Sequence, residues 1–142
     1  MPSAAALPAT WHHWYAKLQD PLTLLRTARQ GVPAQTAFEV AQAFALPPHE
    51  LEAVYELSIK TLRSCAKTDR PLSATNSEKT LRLIELHGLG IEVFGRADAF
   101  LRWLDKPAHG LDQEVPLSLL ATAGGIELVA EELRRIAYGD LS

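Results

Sequence analysis

At 142 residues and 47% apolar, the chain can bury one real core and has room for one domain or two very small ones. A net charge of −3 and a pI near 5.9 exclude a molecule that is basic overall, so nucleic-acid binding would need a local cationic patch. The single cysteine, Cys65, excludes an internal disulfide and fits a reducing cytoplasm, and no run approaches the roughly 18 apolar residues of a membrane helix.

Met1 to Thr10 is rich in Ala and Pro, lacks a basic leader pattern and reads as a frayed tail. Trp11, Trp14, Tyr15 and Leu18 then recur at i, i+3, i+4 and i+7, which predicts a short amphipathic helix docked on the body. His12 and His13 fall on its other face, as surface histidines or a weak metal pair. Asp20-Pro21 ends it. Leu22 to Arg29 forms a second helix with Gly31 just beyond its end. Pro33 opens a helix over residues 34–45 with Ala37, Phe38, Ala41 and Phe44 inward.

Pro47-Pro48 is a break, followed by a helix from His49 to Tyr55 with Leu51, Val54 and Tyr55 apolar. After a turn at Glu56-Leu57, Ser58 can cap a helix through Ala66. Two helices separated by about three residues fit a helix-turn-helix, whose second helix enters the major groove of DNA. On spacing alone, a plain helical hairpin with a solvated basic face is the commoner arrangement and the better fit. In the first case Lys60, Thr61, Arg63, Ser64 and Lys67 would face DNA, with Arg70 just beyond.

Thr68 to Ser77 is a polar connection. Ser77 is expected to begin a long helix running to Phe94, apolar nearly all round and hence buried. Gly88 and Gly90 inside it each cost helix stability, roughly 1 kcal/mol relative to Ala, which close approach of a neighbouring helix, within the chain or across a dimer, would explain. Residues 97–104 form a further helix with Phe100, Trp103 and Leu104 apolar and Trp103 assigned to the core. Pro116 starts a short helix, and Thr122 caps the final one. There Ile126, Val129, Ala130, Leu133, Ile136 and Ala137 share a face, with Glu127, Glu131, Glu132, Arg134 and Arg135 opposite and Glu131 placed to pair with Arg135. No strand is predicted, so the fold class is all-α.

Catalytic chemistry is absent from the pattern. His49, His87 and His109 form no zinc spacing, and His87 reads as a core histidine. The acidic residues show no general acid/base pairing, Ser118 lacks a nucleophile context, and Gly124-Gly125 lacks the lysine of a phosphate loop. The expectation is a non-enzyme that binds no metal or cofactor.

The residues from Arg82 onward carry a resemblance. Val93-Phe94-Gly95, Ala99, Trp103-Leu104, Pro107, Leu111, Pro116-Leu117, Leu119-Leu120, Thr122, Gly125, Val129, Leu133, Ile136 and Tyr138-Gly139 resemble the toxin-binding domain of Xre/MbcA/ParS-type antitoxins, partners of RES-domain toxins. Gly31, Pro33, Glu50-Leu51, Ser58 and Thr61-Leu62 are similar to that family's helix-turn-helix. Glu56 stands where the family tends to have Gly, so a left-handed residue there would be strained unless the turn is altered; Ser64 stands for a basic residue and Lys79 for Arg. The resemblance implies a tail and short helix over residues 1–20, an Xre-like helix-turn-helix unit over 21–72 and a toxin-binding unit over 73–142. It implies a cytoplasmic, homodimeric antitoxin that obstructs an NAD-consuming toxin and represses its own operon by binding operator DNA. Arg134, Arg135, Tyr138, Gly139, Asp140, Leu141 and Ser142 would form the toxin contact. A helix-turn-helix regulator with no toxin, and a scaffold that only oligomerises, are the competing readings.

Overall fold

The computed structural model describes residues 9–139. Eight α-helices follow one another: α1 (Ala9–Lys17), α2 (Pro21–Gln30), α3 (Gln35–Ala43), α4 (Pro48–Tyr55), α5 (Ile59–Lys67), α6 (Ala74–Phe94), α7 (Ala97–Leu104) and α8 (Ala123–Ala137). Short 3-10 turns at His109–Leu111 and Pro116–Leu119 join α7 to α8. The described residues contain no strand; a single isolated bridge pairs Pro33 with Pro71. The fold is all-α.

Local chemistry sets the helix starts. The Asp20 carboxylate, the Ser58 and Ser73 hydroxyls and the Thr122 hydroxyl each accept a backbone N–H from the first turn of α2, α5, α6 and α8. Each satisfies a donor that the helix itself cannot.

Helix α6 lies at the centre, packed against α1, α2, α3, α7 and α8. Leu81, Leu83, Ile84 and Leu86 are buried on it, and one core cluster continues from Trp11 in α1 and Leu18 just after it to Val129 and Leu133 in α8. Its two glycines admit rings. A Cβ on Gly88 would strike the Tyr15 ring, and one on Gly90 would lie 2.5 Å from the Phe100 ring. The close approach expected at these positions is therefore made by α1 and α7 within the chain.

Several expectations need correction. α6 starts at Ala74 behind a Ser73 cap, and Ser77 is buried inside it, accepting the Val32 N–H at 2.9 Å and donating to the Leu72 carbonyl at 3.3 Å. The inward face of α3 is Thr36, Ala37 and Val40, continued by Phe44, while Phe38 and Ala41 are half-buried. Trp103 is also half-buried, at the end of a stack with Phe94 and Phe100. On α8, Glu132 is buried rather than outward, because its carboxylate lies over the Cα of Gly110, where no side chain stands in the way. It takes Arg135 at 2.8 Å in place of the expected Glu131, and Ala137 is exposed. Of the expected tail, Ala9 and Thr10 already belong to α1, and residues 1–8 lie outside the described residues, as do the side chains of His12 and His13.

Candidate partner-binding surfaces

The first surface is α5. Leu51, Val54 and Tyr55 of α4 and Leu62 of α5 are buried; α5 packs on α3 and α4, and hydrogen bonds with Asn76, Lys79 and Thr80 tie the end of α4 to α6. The turn between them passes through Glu56 at φ 53 and ψ 36, so the turn is not altered and Glu56 takes the left-handed conformation itself. This conformation costs roughly 1 kcal/mol or more for a residue with a Cβ. Three ties hold it. Lys79 donates to the Val54 carbonyl at 2.5 Å, Asn76 donates its side-chain N–H to the Tyr55 carbonyl at 3.1 Å, and the Tyr55 hydroxyl meets Thr80 Oγ1 at 2.7 Å. Burial pushes the Tyr55 pKa well above its ordinary value, so the phenol stays protonated.

Two side chains anchor the start of α5. Ser58 Oγ accepts the Thr61 N–H at 3.1 Å, and the Glu52 carboxylate accepts the Ile59 N–H at 2.9 Å. The Glu52 contact was not foreseen; an acid in the last turn but one of α4, seven residues before Ile59, was its only sequence signal. Lys60, Thr61, Arg63, Ser64 and Lys67 are all exposed, and so is Arg70. Thr61 differs from the others because its hydroxyl accepts from Ser58 Oγ at 3.0 Å.

Among the described residues, Lys60, Arg63, Lys67 and Arg70 take part in no ion pair. Of the cations elsewhere, Arg82 pairs with Glu78 at 2.9 Å, and Arg96 and Arg102 pair with Asp98 at 2.8 and 3.5 Å. The Arg96 guanidinium holds the Asp98 carboxyl below its usual range. Arg26, Arg29 and Lys106 are likewise in no ion pair among the described residues, but the four cations on and just after α5 lie within eleven residues on one helix and its end.

The second surface is the far end of α8. Arg134 reaches Glu127 at 3.3 Å and Arg135 reaches Glu132, so both guanidinium groups are held in place yet remain partly exposed. Tyr138, next in the run, is 87% exposed at the helix end, and Gly139 turns away at φ 73. Asp140, Leu141 and Ser142, expected to share this contact, lie outside the described residues. Beside Arg134 a shallow groove runs between α6 and α8, bordered by Arg82, Glu85, Leu89, Glu127 and Ala130. Burial raises the Glu85 pKa, against the opposing pull of Arg82 and Arg134.

Among the described residues, no group of three or more His, Cys, Asp or Glu could hold a metal ion. Nor is any helix among them long and apolar enough to cross a membrane.

Residues 23–85 match the antitoxin Xre-like helix-turn-helix domain, and residues 89–139 match the antitoxin Xre/MbcA/ParS C-terminal toxin-binding domain. The chain belongs to the Xre/MbcA/ParS-type antitoxins. An "Antitoxin Xre" of Pseudomonas putida is 28% identical over 138 residues, covering 91% of this chain and 86% of the relative. In this antitoxin the first match contains α4, α5 and their turn, and the second contains α8 with Tyr138. The two matched regions abut inside α6, so one continuous helix carries the junction.

Proposed function

We propose that this antitoxin neutralises a RES-domain, NAD-consuming toxin by lodging the end of α8 and the residues after it against the toxin's active site. In the same proposal it acts in the cytoplasm as a homodimer and represses its own operon by placing α5 on operator DNA. Residues 21–72 carry the DNA function and residues 73–142 the toxin function, with no catalytic group or cofactor supplied by the antitoxin. The observation that carries the reading is Tyr138, a large aromatic side chain left 87% exposed beside two arginines that carboxylates hold in place. Tyr and Arg are the residue types that most often dominate binding energy at interfaces. An inhibitor of this kind needs shape and anchors rather than reagents, and the C-terminal match to a toxin-binding domain agrees with that.

The test is a truncation. Deleting residues 138–142 removes nothing buried among the described residues, so helicity and melting should be unchanged. Affinity for the RES-domain protein encoded beside the antitoxin should fall about thirtyfold or more, the loss expected of one interface anchor, roughly 2 kcal/mol. Growth arrest by that toxin should then escape neutralisation on co-expression. Full neutralisation by the truncated chain would refute the assignment of this surface.

A further inference from the structure

The segments that lead into α5 and into α8 meet at one side chain. Lys79, on α6, is buried. Its ammonium donates to the Val54 carbonyl at 2.5 Å and to the Ala121 carbonyl at 3.2 Å, and lies 3.9 Å from the Glu56 carboxylate. Val54 belongs to the last turn of α4, and Glu56 is the left-handed residue of the turn that aims α5. Ala121 directly precedes Thr122, the residue that caps α8. Two of the acceptors therefore belong to the helix-turn-helix, and the third belongs to the loop that launches the toxin-binding helix.

Residues 54, 55 and 56 are all held by α6, through Asn76, Lys79 and Thr80. Asn76 and Thr80 act only on that side, whereas Lys79 also reaches the loop before α8. A buried ammonium has little freedom: if one carbonyl withdraws, its donors must turn to the remaining acceptors or go unsatisfied. Carbonyls in the last turn of a helix are good partners because the helix dipole leaves them partly negative.

We propose that Lys79 is a positioning residue that couples the two faces, so that a partner bound along α8 changes how firmly the helix-turn-helix turn holds α5. This rests on the reading of α5 as the DNA element and α8 as the toxin element. A displacement of the loop at Ala121 shifts the ammonium toward Val54 and Glu56, which stiffens or loosens the left-handed turn. The coupling is reciprocal, since each site biases the same junction.

The experiment uses the whole chain and reads amide hydrogen exchange at Glu56, Ile59 and Leu62, with the α2 amide of Ala28 as the reference for global opening. Thr122→Ala removes the cap of α8 next to Ala121 and touches nothing in α4 or α5. Relative to Ala28, it should change exchange at residues 56–62 by about fivefold, the low end of coupling between sites. In the Lys79→Met background the same substitution should leave that ratio unchanged. No response in the chain that keeps Lys79 overturns the proposal by itself, even if Lys79→Met does not fold. A response of equal size with and without the lysine overturns it too. A second arm adds a duplex carrying the DNA upstream of the antitoxin gene. Slowed exchange at residues 122–126 that depends on Lys79 supports the coupling, and slowing independent of Lys79 overturns it. Failure of the duplex to bind at low salt removes the DNA reading, while the Thr122→Ala arm still decides the role of Lys79.

Discussion

At the scale of single residues, the two glycines of α6 make different predictions although both face a ring. Alanine at either position gains helix propensity, about 1 kcal/mol. At Gly90 that gain meets the Phe100 ring at 2.5 Å, and Phe100 is fully buried in the Phe94–Phe100–Trp103 stack with nowhere to retreat. At Gly88 the obstacle is Tyr15, half-buried, with its hydroxyl donating to Glu92 at 3.2 Å near the surface and its pKa pushed up to about 12 by burial and by Glu92. Tyr15 can swing outward and Phe100 cannot. Gly90→Ala should therefore lower global stability by about 1–3 kcal/mol, the usual cost of overpacking. Gly88→Ala should cost less in the melt but loosen α1. Thermal unfolding measures the first effect and proteolysis after Lys17 the second. Equal melting losses for both would contradict this account of the notches.

At the scale of elements, most helices were legible because their boundaries are written in residues whose physics is local. Asp20-Pro21, Gly31, Pro47-Pro48, Ser58 and Thr122 act within a turn of themselves, and each lies at the boundary it announced. The start of α6 was missed for a physical reason: its first turn, from Ala74, is exposed and polar, so Ser77 looked like the cap when it is a buried hydroxyl. Residues whose role depends on distant segments were illegible. Neither the carbonyl of Ala121 that engages Lys79 nor the space above Gly110 that receives Glu132 is marked in the sequence around those residues. The cationic face of α5 was legible, since its exposure follows from helix spacing alone. It carries a prediction of its own. On a duplex from upstream of the gene, replacing Lys60, Arg63 or Lys67 by Ala should each reduce the slope of log affinity against log salt by about one, because each phosphate contact releases a counterion. Melting should not change, as all three are exposed and free of ion pairs among the described residues. Arg82→Ala, which removes an arginine of α6 paired with Glu78 one turn earlier on the same helix, should leave the slope as it was. If the three α5 variants keep the full slope, α5 is not the element that faces phosphate.

At the scale of the whole molecule, one core serves both surfaces, and its centre contains a polar group. His87 of α6 is 2% exposed and sits among Trp11 of α1, Phe44 after α3 and Phe100 of α7, with ring centroids 5.5, 5.2 and 6.0 Å away. Neither ring nitrogen has a hydrogen-bond partner among the described residues. Burial lowers the His87 pKa, and a weaker pull from the Ala43 carbonyl opposes it. The imidazole is thus neutral in the fold, while in the unfolded chain it takes a proton near its ordinary value of about 6.5. The unfolded state therefore binds more protons than the folded one below that pH, and stability falls as pH falls. Its contribution is fully present above about 6.5 and shrinks toward the depressed folded pKa, with a slope of at most about 1.4 kcal/mol per pH unit for one group. Denaturant midpoints measured from pH 7.5 to 5 should decline accordingly. His87→Leu keeps an apolar side chain against the three rings and removes the titrating group, so its midpoint should vary less over the same range and, at pH 5, should exceed that of the native chain. The junction of α1, α3, α6 and α7 lies within the core shared by both functional ends, so acid should weaken the antitoxin as one body. A native chain whose stability is flat from pH 7.5 to 5, or a His87→Leu variant with the same decline, would place the acid sensitivity elsewhere.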